Sequence, residues 1–376
     1  MAINLRSPYY ISTSVANTAY ATLDITIWSG SVTSSPASQY SLRKSVVGSS
    51  VIVLFEISEL VRDYLDITFD GDYTGQSVWV KTVHTVYNSS GGVLLTSTYT
   101  DTAFDGYWYF EESQTATPST FISNRELFVL EDNAFRIPIY TSNNPTVVFY
   151  KDGEVIASET FSSSTDSVNQ IKYVSIYGDS VNWDTFQERV IEDNSDYESN
   201  ACLQSFFDNY SIGAVDKITV SDSSGIQTIK VNVIEECKYE PKKVTFINKF
   251  GALQDMYFFK KSKENLTIKK ESYKSNIISA FGQYSKTNHV NRDFNVIGSE
   301  SITLSSGYLS EEYNEVFKQL MLSEKVWVTN ILETGEQVLP INVKTSSIAY
   351  KTSVNDKLVD YTIEFDKSFD TINNIR

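Results

Sequence analysis

Cysteine and histidine are scarce in this chain of 376 residues, with two of each. Two cysteines, Cys202 and Cys237, cannot form a disulfide framework for a chain of this length. Buried free thiols are the simpler interpretation, and a bridge between the two stays open. His84 and His289 fall in different predicted domains, so we interpret them as strand or loop residues rather than as catalytic bases.

The motifs of the best-defined enzymes are also missing. The sequence contains no Gly-x-Ser-x-Gly elbow, no phosphate-binding Gly-x-x-x-x-Gly-Lys-[Ser/Thr] loop, no His-Glu-x-x-His and no cysteine-histidine zinc spacing. We therefore predict a protein that is not an enzyme and needs no cofactor. A catalytic pair of carboxylates needs no fixed spacing in sequence, so a glycan-degrading enzyme stays open as a third hypothesis.

One cluster of acidic residues has side chains of the type that binds calcium. Asp66, Asp70 and Asp72 lie close together in "DITFDGDYTG" and offer hard oxygen ligands. Their spacing differs from an EF-hand loop and the closing glutamate is missing, so an Asp-Gly turn is the preferred interpretation. No metal site is predicted.

Long apolar runs and an excess of positive charge are absent as well. No stretch approaches eighteen apolar residues, and the start "MAINLRSPYYISTS" lacks the apolar core of a secretory signal. We expect a soluble protein without a membrane partner. A net charge of -16 argues against direct nucleic-acid binding, which needs a surface rich in lysine and arginine.

Aromatic residues are abundant, and their pattern indicates β-structure. The chain has 24 Tyr and 21 Phe, which favour half-buried pleated surfaces. In "TLDITIW", Leu23, Ile25 and Ile27 alternate with Asp24 and Thr26, as in a strand with one buried face. The fold class predicted is mostly β, with two N-terminal β-sandwich domains of immunoglobulin or fibronectin type and a C-terminal β-domain.

The length exceeds what one core usually supports, so three domains are predicted. Turn signals, a Ser/Thr/Pro-rich stretch and Pro241 place the boundaries. The predicted units are an N-terminal β-sandwich (1–112), a linker or long loop (113–134), a second Ig-like β-sandwich (135–237) and a C-terminal β-domain (238–376). Within the second sandwich, Asp152-Gly153 predicts a hairpin turn between two apolar runs.

The clearest helix pattern covers residues 310–324. Ser310 is the predicted N-cap. An apolar stripe follows at spacings of three and four residues and predicts one packed face. The stripe consists of Tyr313, Val316, Phe317, Leu320 and Met321.

Charge is distributed unevenly along the chain. Residues 101–200 hold 18 acidic and 5 basic side chains, whereas residues 238–274 hold 10 lysines and 4 acids. Zones of opposite charge predict surfaces that meet within the molecule or between copies. The residues predicted for a charged contact are Lys260, Lys261, Lys263, Lys269 and Lys270. The simpler alternative is that exposed lysines deter strand pairing at a sheet edge.

A predicted aromatic strand closes the first unit. In "GYWYFEE" (106–112), Tyr107, Trp108 and Tyr109 are a possible platform for stacking a sugar. Alternate side chains of a strand point to opposite faces, so one set is expected to lie in the core.

Four segments of the C-terminal third carry a resemblance to a known family. They are "CKYEPKKVTFINKFGALQDMYFF", "LTIKKESYK", "LSEEYNEVFKQLMLSEKVWV" and "LPINVKTSSIAYKTSVNDKLVDYTIEFDKSF". Together they resemble a domain of virion proteins of tailed bacteriophages, particularly phages of Bacteroidetes, and the order of elements is similar to the tail-tube-like fold of tube, distal-tail and hub proteins. The N-terminal sandwiches match no such pattern and favour an elaborated protein over a plain tube.

The resemblance implies a structural virion protein of the tail or baseplate, synthesised in the host cytoplasm. It implies partners among other virion proteins and a homo-oligomer, hexameric or trimeric. The five residues of the helix stripe and the five lysines would then form assembly interfaces. A carbohydrate-binding adhesin that recognises a host-surface glycan near Trp108 is the alternative hypothesis.

Overall fold

Strands dominate the computed structural model. It describes residues 2–47, 51–73, 76–112, 117–130, 135–162, 171–176, 215–234, 236, 238–332, 335–350 and 358–372. Within these ranges lie 23 strands, two α-helices, α1 (Ser58–Arg62) and α2 (Tyr313–Leu322), and one 3-10 turn, Thr141–Asn143. The mostly β fold class is confirmed. Cys202 and Cys237 lie outside the described residues.

The N-terminal unit has two sheets that share one core. Its strands are β1 (Ala2–Asn4), β2 (Tyr10–Ser14), β3 (Tyr20–Trp28), β4 (Tyr40–Ser45), β5 (Ile52–Glu56), β6 (Ser77–Tyr87) and β7 (Val93–Phe104). The larger sheet has the order β1-β7-β6-β3-β4, and β2 pairs with β5. Leu23 and Ile25 of β3 pack in the same core as Phe55 of β5. The alternation seen in the sequence therefore buries one face of β3, as predicted.

The second unit is built around a five-stranded sheet. Its strands are β8 (Glu126–Leu130), β9 (Phe135–Tyr140), β10 (Thr146–Lys151), β11 (Glu154–Thr160), β12 (Ile171–Ile176), β13 (Lys217–Asp222) and β14 (Gly225–Ile234). The sheet order is β11-β10-β13-β14-β8, and β12 pairs with β9. The predicted Asp152-Gly153 turn joins β10 to β11, with φ of +52° and +85°.

Strand β8 corrects the interpretation of residues 113–134 as a linker or long loop. Glu126 to Leu130 pair in parallel with Lys230 to Ile234 of β14. Leu127 and Val129 are buried in the core. The Ser/Thr/Pro-rich composition before this segment gave no sign of a strand whose partner lies about a hundred residues further along the chain.

The C-terminal unit contains a seven-stranded sheet. Its strands are β15 (Lys242–Ile247), β16 (Leu253–Phe258), β17 (Lys263–Lys274), β18 (Asn291–Ser305), β19 (Leu309–Ser310), β20 (Val326–Leu332), β21 (Gly335–Val343), β22 (Leu358–Val359) and β23 (Thr362–Asp370). The sheet order is β16-β15-β20-β21-β23-β18-β17, and β19 pairs with β22. Strand β17 therefore forms one edge of this sheet.

Helix α2 is shorter than the predicted 310–324 and begins differently. Ser310 belongs to β19, where it pairs with Leu358, so its prediction as the N-cap is wrong. Glu312 takes the cap position without a side-chain hydrogen bond to the helix. Because the backbone of Ser310 pairs with β22, Ser310 lies in a strand and does not take the cap position of the helix.

Hydrophobic contacts cross the predicted domain boundaries. One core cluster runs from Ile122 in the second unit to Phe365 in the C-terminal unit. Another joins Phe104 of β7, Tyr140 of β9 and Trp327 of β20. The boundaries at 112/113 and 237/238 stay a prediction, but the cores on either side of them are continuous.

Close backbone approach joins the N-terminal and C-terminal units. A Cβ atom on Gly251 would lie 2.7 Å from Phe104 Cβ and 2.8 Å from the backbone nitrogen of Gly106, so only glycine fits there. The backbone N–H of Tyr107 donates to the carbonyl of Lys249 at 2.7 Å. This contact holds the end of β7 against the β15–β16 turn.

A buried polar cluster also ties the three units together. The hydroxyls of Tyr73 and Thr245 each donate to Asp255 Oδ1 at 2.7 Å. The guanidinium of Arg136 lies 4.2 Å from the centre of the Tyr73 ring. The backbone N–H of Leu253 donates to the hydroxyl of Tyr173 at 3.0 Å. Buried hydrogen bonds of this kind define one arrangement of the units, because any other leaves polar groups unsatisfied.

Candidate assembly surface

A β-hairpin extends beyond the seven-stranded sheet, and we call its residues 266–296 the arm. Strand β18 pairs with β23 only from Ser299 onward, so before that point β17 is its one partner among the described strands. Of the arm's 31 residues, 29 are exposed. At about 3.4 Å per residue, the paired part from Thr267 to Lys274 extends roughly 25 Å.

Local contacts within the hairpin explain its extended shape. Asp293 accepts hydrogen bonds from the ammonium of Lys270 and the hydroxyl of Ser272, both at 2.7 Å. The Lys270 hydrogen bond, followed by that of Ser272, lowers the pKa of Asp293 below its usual value. The rings of Tyr273 and Phe294 meet edge to face at 5.7 Å. Cross-strand pairs such as these stabilise a two-stranded hairpin.

The arm nevertheless exposes many large apolar side chains. Leu266, Ile268 and Val296 share one face by the two-residue period of the strands, and Leu266 and Ile268 are 56% and 58% exposed. At the tip, Ile278, Phe281 and Tyr284 are exposed, Phe281 by 91%. Contiguous exposed apolar surface of this kind marks an interaction site more often than an ordinary solvent-facing surface.

The arm and the remainder of the chain have opposite charge. Five basic and two acidic residues give the arm a net charge of +3, while the whole chain carries -16. The other 345 residues therefore carry -19. Opposite net charges of this kind attract one another electrostatically.

The structure separates the five predicted interface lysines. Lys269 and Lys270 lie on the arm, and Lys261 and Lys263 are exposed at its base. Lys260 instead forms an ion pair with Glu236 at 2.7 Å and is half-buried. The hydrogen bond from Lys260, followed by the backbone N–H of Lys238, lowers the pKa of Glu236. Lys260 therefore contributes to the body of the molecule rather than to the exposed lysine group.

The helix stripe is not available as an assembly interface, and that prediction is wrong. Tyr313, Val316, Phe317 and Leu320 are buried in the core of their own chain, and Met321 is half-buried. The Phe317 ring contacts that of Tyr361 at 4.6 Å. The hydroxyl of Tyr313 accepts a hydrogen bond from the backbone N–H of Phe128 at 3.1 Å. The amphipathic pattern was correct, but the apolar face packs within the chain.

Residues 106–112 form no strand, which corrects the prediction for "GYWYFEE". The backbone N–H of Trp108 donates to the hydroxyl of Ser7 at 2.8 Å instead of to a neighbouring strand. The guanidinium of Arg6 lies 4.9 Å from the Tyr107 ring centre, and the ammonium of Lys318 lies 3.5 Å from that of Tyr109. Cations of the same chain thus contact the two tyrosine rings of the predicted glycan platform, and its third member, Trp108, is half-buried.

The acidic cluster examined for calcium forms local contacts. Asp66 pairs with Lys325 at 2.7 Å, and Asp70 Oδ1 accepts the backbone N–H of Asp72 at 3.2 Å. Gly71 between them has a φ of +121°. Among the residues that the structure describes, no three His, Cys, Asp or Glu side chains come together as a metal site.

The two histidines occupy different environments. His84 is buried in β6, its ring 5.7 Å from that of Phe55, and burial lowers its pKa. His289 is exposed at the tip of the arm. The structure does not bring the two together.

A cleft of about 250 Å³ lies beside the β13–β14 turn. Its carboxylate, Asp222, accepts hydrogen bonds from the hydroxyl of Ser119 and from the backbone N–H groups of Ser224 and Gly225. Burial alone would raise the pKa of Asp222, but these donors outweigh it and lower the pKa. The Asp222 carboxylate therefore stabilises the β13–β14 turn.

Two exposed features, the apolar tip of the arm and the edge of β7, were not predicted from the sequence. The tip lies in "SNIISAFGQYSKTN", where polar residues conceal the three large side chains. The glycine in this segment, Gly282, is the sequence signal that could have indicated a turn there. In the structure Gly282 has a φ of +73°, and its N–H donates to Ser279 O at 2.9 Å.

In the part of the chain that the structure describes, no helix is long and apolar enough to cross a bilayer. No protein-family model and no curated protein matches the sequence. Among solved structures, calcium binding domain CBD12 of CALX1.1 is similar over 62% of this chain and 96% of its own, at 8% identity and a TM-score of 0.20. Similarity at this level supports no argument about function.

Proposed function

We propose that this protein is a structural component of the tail or baseplate of a tailed bacteriophage, and that it acts by assembling with copies of itself and with neighbouring virion proteins. The observation that carries the proposal is the arm, with its exposed apolar side chains and its basic charge. The resemblance of the C-terminal third to tail-tube-like domains supports the location in a phage tail.

Two physical effects favour assembly through the arm. Removing large apolar side chains from water stabilises a complex by roughly 25 cal/mol for each Å² of apolar surface covered. Attraction between the basic arm and the acidic remainder of a second copy accelerates the encounter and orients it. The first effect supplies affinity, and the second makes assembly dependent on salt.

Helix α2 has a different role in this proposal. Because its apolar stripe packs within its own chain, it stabilises the base from which the arm extends. The buried polar cluster around Asp255 strengthens the same base. Because this base is already ordered, binding through the arm loses no further conformational entropy there.

Sedimentation analysis of the purified protein tests assembly and its dependence on charge. We expect assemblies larger than a monomer at about 0.1 M salt that dissociate toward 1 M, where the Debye length falls to about 3 Å. Lys269→Glu with Lys270→Glu should weaken assembly at least about tenfold at the lower salt concentration, because it reverses the charge of the arm.

The matched control carries the same change of charge on the body. Lys44→Glu with Lys238→Glu alters two exposed lysines away from the arm and should assemble like the unmodified protein. Assembly that is intact in the arm variant at low ionic strength, or equally weakened in the control, would contradict a charged interface on the arm.

Immunoelectron microscopy tests where in the virion the protein lies. Antibodies raised against the purified chain should label the tail end of virions in electron microscopy. Labelling of the capsid, or particles that lack the protein altogether, would contradict a tail or baseplate component.

A further inference from the structure

A second open edge runs along β7 in the N-terminal unit. Strand β1 covers β7 only from Thr102 to Phe104, and β6 pairs along its other side. Among the strands that the structure describes, none pairs with β7 on the side opposite β6 from Val93 to Asp101. Seven of these nine residues are exposed.

The first eight residues of the β7 edge lack the charged residues and prolines that usually prevent edge strands from pairing with other chains. Its first eight residues, "VLLTSTYT", contain no charge, no proline and no glycine. Leu95 and Tyr99 are exposed apolar residues on one face. Val93, beyond a register shift, is exposed as well. By contrast, the β4 edge of the same sheet carries Arg43 and Lys44. Proteins normally protect a long edge with charge, so an unprotected edge predicts a partner strand.

The open edge of β17 is suited to be that partner. From Leu266 to Lys274 the arm offers nine residues, the same number as the β7 edge. If β17 paired with its own copy about its centre, Lys263 would face Lys274, and like charges directly opposite are destabilising. The residues from Val93 to Asp101 include no lysine or arginine that would repel the lysines of β17.

The exposed side chains of the two edges also match. Leu266 and Ile268 of β17 and Val93 and Leu95 of β7 are apolar. Ile268 and Val93 are also β-branched, which favours strands. Backbone hydrogen bonds along nine residues would supply affinity, and the apolar side chains beside them would set the register.

We propose that β17 of one copy adds to the β7 edge of a second copy and extends its N-terminal sheet. This proposal rests on the assembly proposed above and names the surface that the arm binds. The two contributing surfaces differ, so the first copy keeps a free β7 edge and the second copy keeps a free arm. Such a contact continues from copy to copy until the rotation between copies closes a ring.

Mixing two variants tests the proposal. In the edge variant, Thr96→Lys with Thr98→Lys places charges on exposed positions of β7, where they blunt the edge and repel the arm. In the arm variant, Leu266→Glu with Ile268→Glu removes the apolar face of β17. Each variant alone should be monomeric at concentrations at which the unmodified protein assembles.

An equimolar mixture should form a dimer and stop there. The intact arm of the edge variant can bind the intact β7 edge of the arm variant, while the two remaining surfaces are both altered. Sedimentation velocity measures the species. As a control, Ser12→Lys with Ser14→Lys adds the same charge to exposed positions of β2 and should assemble like the unmodified protein.

Each other result has a defined meaning. Failure of the mixture to dimerise, while the unmodified protein assembles, would overturn the arm-to-edge contact and leave the proposed assembly standing. Dimers of the arm variant alone would show β7 paired with β7 instead. An unmodified protein that stays monomeric at every salt and protein concentration would overturn both proposals.

Folding is checked by comparing the circular dichroism and thermal unfolding of each variant with those of the unmodified protein. If a double variant does not fold, Thr98→Lys and Ile268→Glu replace it as single substitutions with the same expected outcome in the mixture.

Discussion

Strands β15 and β17 belong to the same seven-stranded sheet and both carry lysines, yet all six residues of β15 are buried and eleven of the twelve in β17 are exposed. β15 lies between β16 and β20, and the second unit and α2 pack near it. β17 lies at the sheet edge, where β18 is its one neighbour among the described strands. The comparison shows that position within the sheet, rather than strand composition, decides whether a lysine-bearing strand contributes to stability or to a surface.

The largest contrast should appear when an apolar side chain is truncated in each strand. Phe246→Ala in β15 removes a fully buried ring and should cost about 3–5 kcal/mol of the free energy of unfolding. Ile268→Ala in β17 should cost less than about 0.5 kcal/mol, because its side chain is already more than half exposed. Urea denaturation measures both. Similar losses for the two variants would mean that the arm is packed in the isolated protein.

Two glycines with similar backbone angles sharpen the comparison. Gly251 and Gly282 have φ of +79° and +73°, but a Cβ on Gly251 meets the backbone of residues 105 and 106, whereas nothing lies within 4 Å of one on Gly282. Gly282→Ala should cost about 1 kcal/mol, confined to the tip, since only the backbone angle is unfavourable. Gly251→Ala should cost about 3 kcal/mol or more, because it also separates the N-terminal and C-terminal units. Thermal unfolding that is unchanged in Gly251→Ala would contradict the close contact.

Carboxylates in the body and on the arm should respond differently to pH. Burial raises the pKa of Glu159 in β11 from 4.5 to about 7. Its protonated form is favoured in the folded state, so the stability present below pH 4.5 is lost as the pH rises toward 7. The loss is at most roughly 3–4 kcal/mol by linkage.

Glu159→Gln should remove that pH dependence, so that the variant is more stable than the unmodified protein at pH 8. Asp293→Asn on the arm is the matched control. The pKa of Asp293 is lowered, and its stabilisation is lost only as the pH falls below about 4. Unfolding curves between pH 4.5 and 8 compare the two. A stability that is flat with pH in the unmodified protein would show that Glu159 is not buried.

Much of the strand content could be predicted from local patterns. The alternation in β3, the Asp152-Gly153 turn and the apolar stripe of α2 all depend on neighbours within a few residues, so the sequence carries them directly. Strand β8 could not be predicted in the same way, because its partner β14 is distant in the chain. Residues 106–112 have strand composition but lose strand pairing to contacts with Ser7 and Lys249.

The candidate site was predicted in part for a similar reason. The concentration of lysines near residues 260–274 is visible in the sequence, and four of the five predicted lysines are exposed. Whether an apolar residue is exposed depends on what covers it. Leu320 and Ile268 are both apolar residues in regular patterns, and the sequence does not distinguish them. The fold buries Leu320 and exposes Ile268.

The sequence by itself determined a mostly β chain with an acidic majority and one basic segment, because side-chain period and charge are local properties. Only the tertiary structure decided that the helix stripe packs inside, that residues 266–296 extend as an arm and that β7 has an open edge. Those outcomes depend on which distant strands become neighbours, and burial is a property of the neighbours rather than of the residue.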